Sequence, residues 1–89
     1  MEIQIRFFGA VSKAVGFIET GSLDFQGETL GELLSAVMDK WPGTRDFIEG
    51  SKSATMVLAL NDKALEPPDP GMKISDGDKL AIMPMVHGG

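Results

Sequence analysis

The sequence predicts an α+β domain of two layers, a mixed sheet of four to five strands packed on one main helix. Three observations lead there. Leu30, Leu33, Leu34, Val37, Met38 and Trp41 recur at the spacing of one helical stripe. Short runs elsewhere alternate apolar with polar, or are continuously apolar between turn residues, as strands do. A single amphipathic helix covers one sheet face and no more, which is the two-layer arrangement.

Glu2 to Phe8 sets Ile3, Ile5 and Phe7 on one side against Gln4, Arg6 and Phe8 on the other, a half-buried strand with one aromatic on the polar side. Gly9 to Gly16 holds Val11, Ala14 and Val15 at roughly helical spacing and predicts a helical turn within a loop. Phe17 to Phe25 predicts the second strand, weak at Gly21 and Ser22. In the helix Thr29–Trp41, Thr29 is the N-cap, Glu32 completes a capping box and Pro42-Gly43 stops the element. Gly31 in the first turn costs up to ~1 kcal/mol relative to alanine. Residues 43–54 predict a loop with one helical turn around Asp46 to Ile48. Thr55 to Leu60 is an apolar run and predicts a buried central strand. Asn61-Asp62 turns the chain into a short strand at Lys63 to Leu65, and the proline-rich stretch 67–71 is an irregular connection. Asp76-Gly77-Asp78 is a tight turn before the last strand, Lys79 to Met83, ended by Pro84. Strand, strand, helix, strand, short strand, strand is the order of a β-grasp domain, expected over residues 1–84 with a flexible tail at 85–89.

Composition narrows the function classes. Eighty-nine residues make one domain. Thirteen acids against eight bases give a net charge of −5 with no basic cluster, which argues against nucleic-acid binding. That charge serves solubility and encounter with a basic protein partner equally well. No apolar run approaches the ~20 residues of a membrane span and no signal segment opens the chain, so a cytoplasmic protein is expected. Without cysteine there is no disulfide, thiolate metal site or thiol chemistry, and the lone histidine cannot build a multi-His metal site.

The chain looks empty as an autonomous enzyme. Its serines and threonines are scattered, and His87 is the only imidazole. Asp76 and Asp78 lack the further oxygen ligands of an EF-hand and read as turn residues. No glycine-rich segment forms a phosphate loop ahead of a helix. What remains is the ending, Val86-His87-Gly88-Gly89, a thin peptide able to thread a narrow channel and present a carboxylate. Chain ends tolerate glycine in any case, so the tail alone does not decide. A carboxylate becomes an acyl donor once a partner using ATP adenylates it, after which sulfur or amine nucleophiles attack the Gly89 carbonyl.

Several segments together are more specific. Ile3-x-Ile5-Arg6-Phe7-Phe8, Thr29-Leu30-Gly31-Glu32-Leu33-Leu34, Leu58-Ala59-Leu60-Asn61, Asp76-Gly77-Asp78-Lys79-Leu80 and Pro84-Met85-Val86-His87-Gly88-Gly89 cover most of the chain. In that order they resemble the MoaD/ThiS family of ubiquitin-like sulfur carriers, MoaD the more by length. Met85 and His87 depart from the family's pattern, which often has Pro-Pro before the tail and a small or hydroxyl residue where His87 stands.

The resemblance implies a β-grasp fold with no bound cofactor. It further implies adenylation of Gly89 by a MoeB/ThiF-type enzyme using ATP, and exchange of one carboxylate oxygen for sulfur. Insertion of the tail into a MoaE-like large subunit of molybdopterin synthase would deliver that sulfur to cyclic pyranopterin monophosphate. The same chemistry serves thiazole, cysteine or tRNA thiolation, or conjugation to lysines, and a binding module with an inert tail is a third class. Partner contact is expected on an exposed apolar patch of Phe8, Met83 and Leu65, corresponding to the family's partner surface.

Overall fold

Strand β1 (Glu2–Phe7) buries Ile3, Ile5 and Phe7 and exposes Glu2, Gln4 and Arg6. The computed structural model describes residues 1–50 and 56–84. After β1 come α1 (Ala10–Ala14), β2 (Thr20–Asp24), α2 (Leu30–Lys40), a 3-10 turn (Pro42–Thr44) and α3 (Arg45–Ile48). Strands β3 (Met56–Leu60), β4 (Lys63–Ala64) and β5 (Lys79–Pro84) follow. The sheet order is β2-β1-β5-β3-β4. β1 and β5 run parallel while the other neighbours are antiparallel. This mixed sheet with α2 across one face is the β-grasp fold.

The capping box forms as expected. The Thr29 hydroxyl accepts from the Glu32 N–H at 3.3 Å, and the Glu32 carboxylate accepts from the N–H groups of Glu28 and Thr29. Two more N–H groups of the first turn, those of Leu30 and Gly31, donate to the carbonyls of Met72 and Pro70. This last pairing accounts for Gly31: a Cβ there would stand 3.3 Å from Pro70 atoms. From that start α2 lays Leu30, Leu33 and Val37 on Ile3, Ile5, Leu80 and Ile82, all fully buried. Each such side chain contributes about 1.5–3 kcal/mol relative to exposure. At the helix end Trp41 meets Phe7 edge-on, ring centroids 5.1 Å apart. The buried Thr44 hydroxyl donates to the Trp41 carbonyl at 2.7 Å.

Several boundaries differ from expectation. The second strand begins at Thr20 because Phe17, at φ 66°, has left-handed backbone that no strand continues. It ends at Asp24, although the Phe25 N–H still donates to the Met1 carbonyl at 2.7 Å. Thr29 and Trp41 are caps of the helix and not its members. β5 runs through Pro84, opposite Met56. β4 stops at Ala64, and the expected start of β3 at Thr55 lies outside the described residues.

The tight turn ties both ends of the fold together. Asp76 accepts the Glu2 N–H at 2.7 Å, and the Gly77 N–H donates to the Glu2 carbonyl. Asp78 accepts from Ser75 N–H and from the Asn61 amide, binding this turn to the β3–β4 hairpin. Asn61 and Asp62 both have positive φ, the geometry of a two-residue hairpin turn.

Candidate functional site

β5 is the middle strand of the sheet, paired with β1 on one edge and β3 on the other. The chain therefore leaves the middle strand at Pro84, beside Gly9, where a Cβ would be 3.1 Å from the proline ring. Val86, His87, Gly88 and Gly89 lie outside the described residues.

On the sheet face away from α2, the parity of the strands sets Arg6 and Phe8 beside Lys79, Ala81 and Met83, with Ala59 beyond. These residues and Asp62 line a shallow trough of about 220 Å³. Its floor is Ala59 and Ala81, paired across β3 and β5. Phe8 forms a wall, with the Arg6 guanidinium 5.0 Å from its ring centroid. Ring, thioether and alanine floor give it apolar parts, while Arg6, Lys79 and Asp62 make the rest polar, with two cations against one carboxylate. Its lining thus offers an aromatic ring, a thioether and groups of both charges as contact groups.

The structure brings Phe8 and Met83 together but places Leu65 elsewhere. The outward residue of β4 is Ala64, opposite Ala59. Leu65, one position on, turns to the other face, its N–H donating to the Leu58 carbonyl at 2.9 Å. There it lines a cleft of about 420 Å³ with Leu34, Ile48, Met56 and Leu58, on the helix side of the sheet. Arg6, Ala59, Asp62, Lys79 and Ala81 join Phe8 and Met83 in the trough beyond the patch the sequence predicts; the alternation of β1 already puts Arg6 on the outer face with Phe8. The alanines needed the β1–β5–β3 pairing, which no local pattern supplies.

Among the described residues no group of three or more acidic or histidine side chains is arranged to hold a metal ion. The Glu32 carboxyl is held below its ordinary range, chiefly by the Glu28 N–H and then by the Thr29 hydroxyl, the contacts of a helix cap. No helix among the described residues is long and apolar enough to cross a membrane.

The model of the ThiS family matches residues 5–89, nearly the whole chain. The chain belongs to the ThiS family. Among solved structures, this ThiS-family chain is similar to the small archaeal modifier protein SAMP1 of Haloferax volcanii, with 24% identity, 100% of each chain covered and a TM-score of 0.81. It is also similar to a chain in the complex of subunits 1 and 2 of the molybdopterin-converting factor from Helicobacter pylori, with 24% identity, 100% of each chain covered and a TM-score of 0.68. CysO of Mycobacterium tuberculosis matches with 20% identity over 94% of this chain and 99% of that one, TM-score 0.73. At these identities the likeness bears on the β-grasp fold alone. The search of curated proteins found no match.

Proposed function

We propose that this chain is a sulfur carrier whose Gly89 carboxylate is adenylated and then converted to a thiocarboxylate, with molybdopterin synthesis as the destination of the sulfur. The observation that carries this reading is the family match, which runs through Gly88 and Gly89, on a domain whose central strand ends at Pro84, five positions before Gly89. The reaction needs nothing catalytic from the carrier. The carboxylate oxygen attacks the α-phosphorus of ATP and pyrophosphate leaves. A sulfur nucleophile such as hydrosulfide then attacks the Gly89 carbonyl, AMP departs with the original oxygen, and the thiol proton is released. A MoeB/ThiF-type enzyme supplies the site for both steps, and a MoaE-like large subunit takes the sulfur. The carrier contributes a rigid domain for recognition, the Phe8–Met83 trough as contact surface, and an end without side chains that passes a narrow channel.

The likeness to archaeal modifier proteins favours a second reading, in which the same acyl adenylate passes to lysine amines. One experiment separates the two. The purified chain is incubated with ATP, a MoeB/ThiF-type enzyme and sulfide, and its intact mass is measured. Replacement of one oxygen by sulfur supports the carrier, and transfer to precursor by a MoaE-like subunit supports the molybdopterin destination. Lysine adducts bearing a Gly-Gly remnant, with no thiocarboxylate, support the modifier. No change in mass with an enzyme proven active on its own carrier overturns the proposal.

A further inference from the structure

Phe17 is the most exposed large hydrophobic residue among the described residues, 74% accessible where Phe8 and Ile18 are 36% and 39%. Its φ of 66° is a region that bulky residues avoid and that recurs where structure serves a function. Ser12 holds it there from both sides. The Phe17 N–H donates to the Ser12 carbonyl at 2.8 Å, and the Ser12 hydroxyl donates to the Ile18 carbonyl at 2.9 Å. An aromatic ring kept in an unfavourable backbone conformation and left in water does nothing for the core.

Its location gives it a use. The Phe7 N–H donates to the Glu19 carbonyl and the Phe8 N–H to the Ile82 carbonyl. Since β1 and β5 are parallel, the Phe17–Ile18 loop, Phe8 and the exit of β5 share one end of the sheet. Five residues follow Pro84, and at ~3.3–3.6 Å per extended residue they reach at most about 18 Å. An active site that receives Gly89 on the carrier reading lies within that reach of Pro84, and the protein around it faces this end of the domain.

We propose that Phe17, with Ile18, is the docking element for the ATP-dependent enzyme that adenylates the Gly89 carboxylate, entering an apolar pocket beside that enzyme's tail channel. This rests on the carrier reading above. The carrier must leave this enzyme once loaded, and a contact of two side chains, apart from the trough, is of the small kind that transient encounters use.

The test is steady-state kinetics of thiocarboxylation by a MoeB/ThiF-type enzyme, with the carrier concentration varied. Phe17→Gly removes the ring while glycine adopts the same backbone freely, so its melting temperature is expected to equal or exceed that of the wild type. The KM for the carrier is expected to rise about 10-fold with kcat within about twofold, and Phe17→Tyr is expected to restore it. An unchanged KM for Phe17→Gly, or a loss confined to kcat, overturns the docking role while leaving the carrier reading intact. Failure of the wild-type chain to be loaded overturns the carrier reading and this inference with it.

Discussion

Gly21 lies so close to Trp41 that a Cβ at residue 21 would stand 2.4 Å from the indole Cζ2. The ring has nowhere to go. Phe7 meets it edge-on, and the Lys40 ammonium stands 5.1 Å from its centroid. Gly21→Ala is therefore expected to destabilise the fold by about 1–3 kcal/mol through overpacking. Gly71→Ala, whose Cβ would make an ordinary 3.4 Å contact with Asp69, serves as the control. It is expected to stay within about 0.5 kcal/mol of the wild type. Urea unfolding measures both, and equal midpoints for the two variants would mean that β2 yields to make room for the alanine.

The same pair explains what could and could not be read from the sequence. Helix α2 was legible because its stripe, cap and stop signal are all local, and Thr29 and Glu32 form the box their spacing requires. Gly21 read as a weakness of β2, since no local pattern says that Trp41, 20 positions on, needs the space. Leu65 reads as the last residue of a strand Lys63 to Leu65, but the strand stops at Ala64, and one position decides the face. Phe17 looked like a strand residue by composition, and only the Ser12 hydrogen bonds set its backbone aside. Strand existence is written in short-range periodicity, whereas the β1–β5 pairing that assembles the trough joins opposite ends of the chain.

The capping box gives the fold an acid-sensitive component. The Glu32 carboxyl is lowered from its ordinary 4.5, first by the Glu28 N–H and then by the Thr29 hydroxyl. A depressed folded-state value favours the folded chain above the unfolded-state value, and that contribution is lost as pH falls through the folded one. Glu32→Gln is therefore expected to lose less stability than the wild type as pH falls from neutral to below 4.5. Thr29→Ala removes the partner cap at any pH, at a cost of about 1 kcal/mol. Thermal melts across this range check both; parallel pH profiles for Glu32→Gln and wild type would remove Glu32 from the account.

Phe8 is the wall of the trough and 36% exposed, so its truncation is expected to harm binding more than folding. Phe8→Ala should weaken affinity for a MoaE-like partner about 10-fold, as for a central aromatic anchor. The expected loss of stability is about 1 kcal/mol. Titration calorimetry and thermal melting, run on the same preparation, separate the effects. A large drop in melting temperature with unchanged affinity would make Phe8 a cap on the core edge and leave the trough without its anchor.

The tail prediction isolates chemistry from fold. Described contacts of the domain run from Met1 to Pro84, and Pro84 is already paired with Met56 at the end of β5. Deleting Gly88 and Gly89 is expected to leave the melting temperature within about 2 °C of wild type. Loading with sulfur is expected to fall to zero, because Val86-His87 then ends the chain two residues short of an active site that the full tail reaches. Gly89→Ala is the finer probe: it keeps the length and adds one methyl beside the reacting carbonyl, so it is expected to slow loading while preserving affinity. Intact mass after incubation with ATP, a MoeB/ThiF-type enzyme and sulfide reads both variants. A truncated chain that still gained sulfur would put the modified group somewhere other than the C-terminal carboxylate.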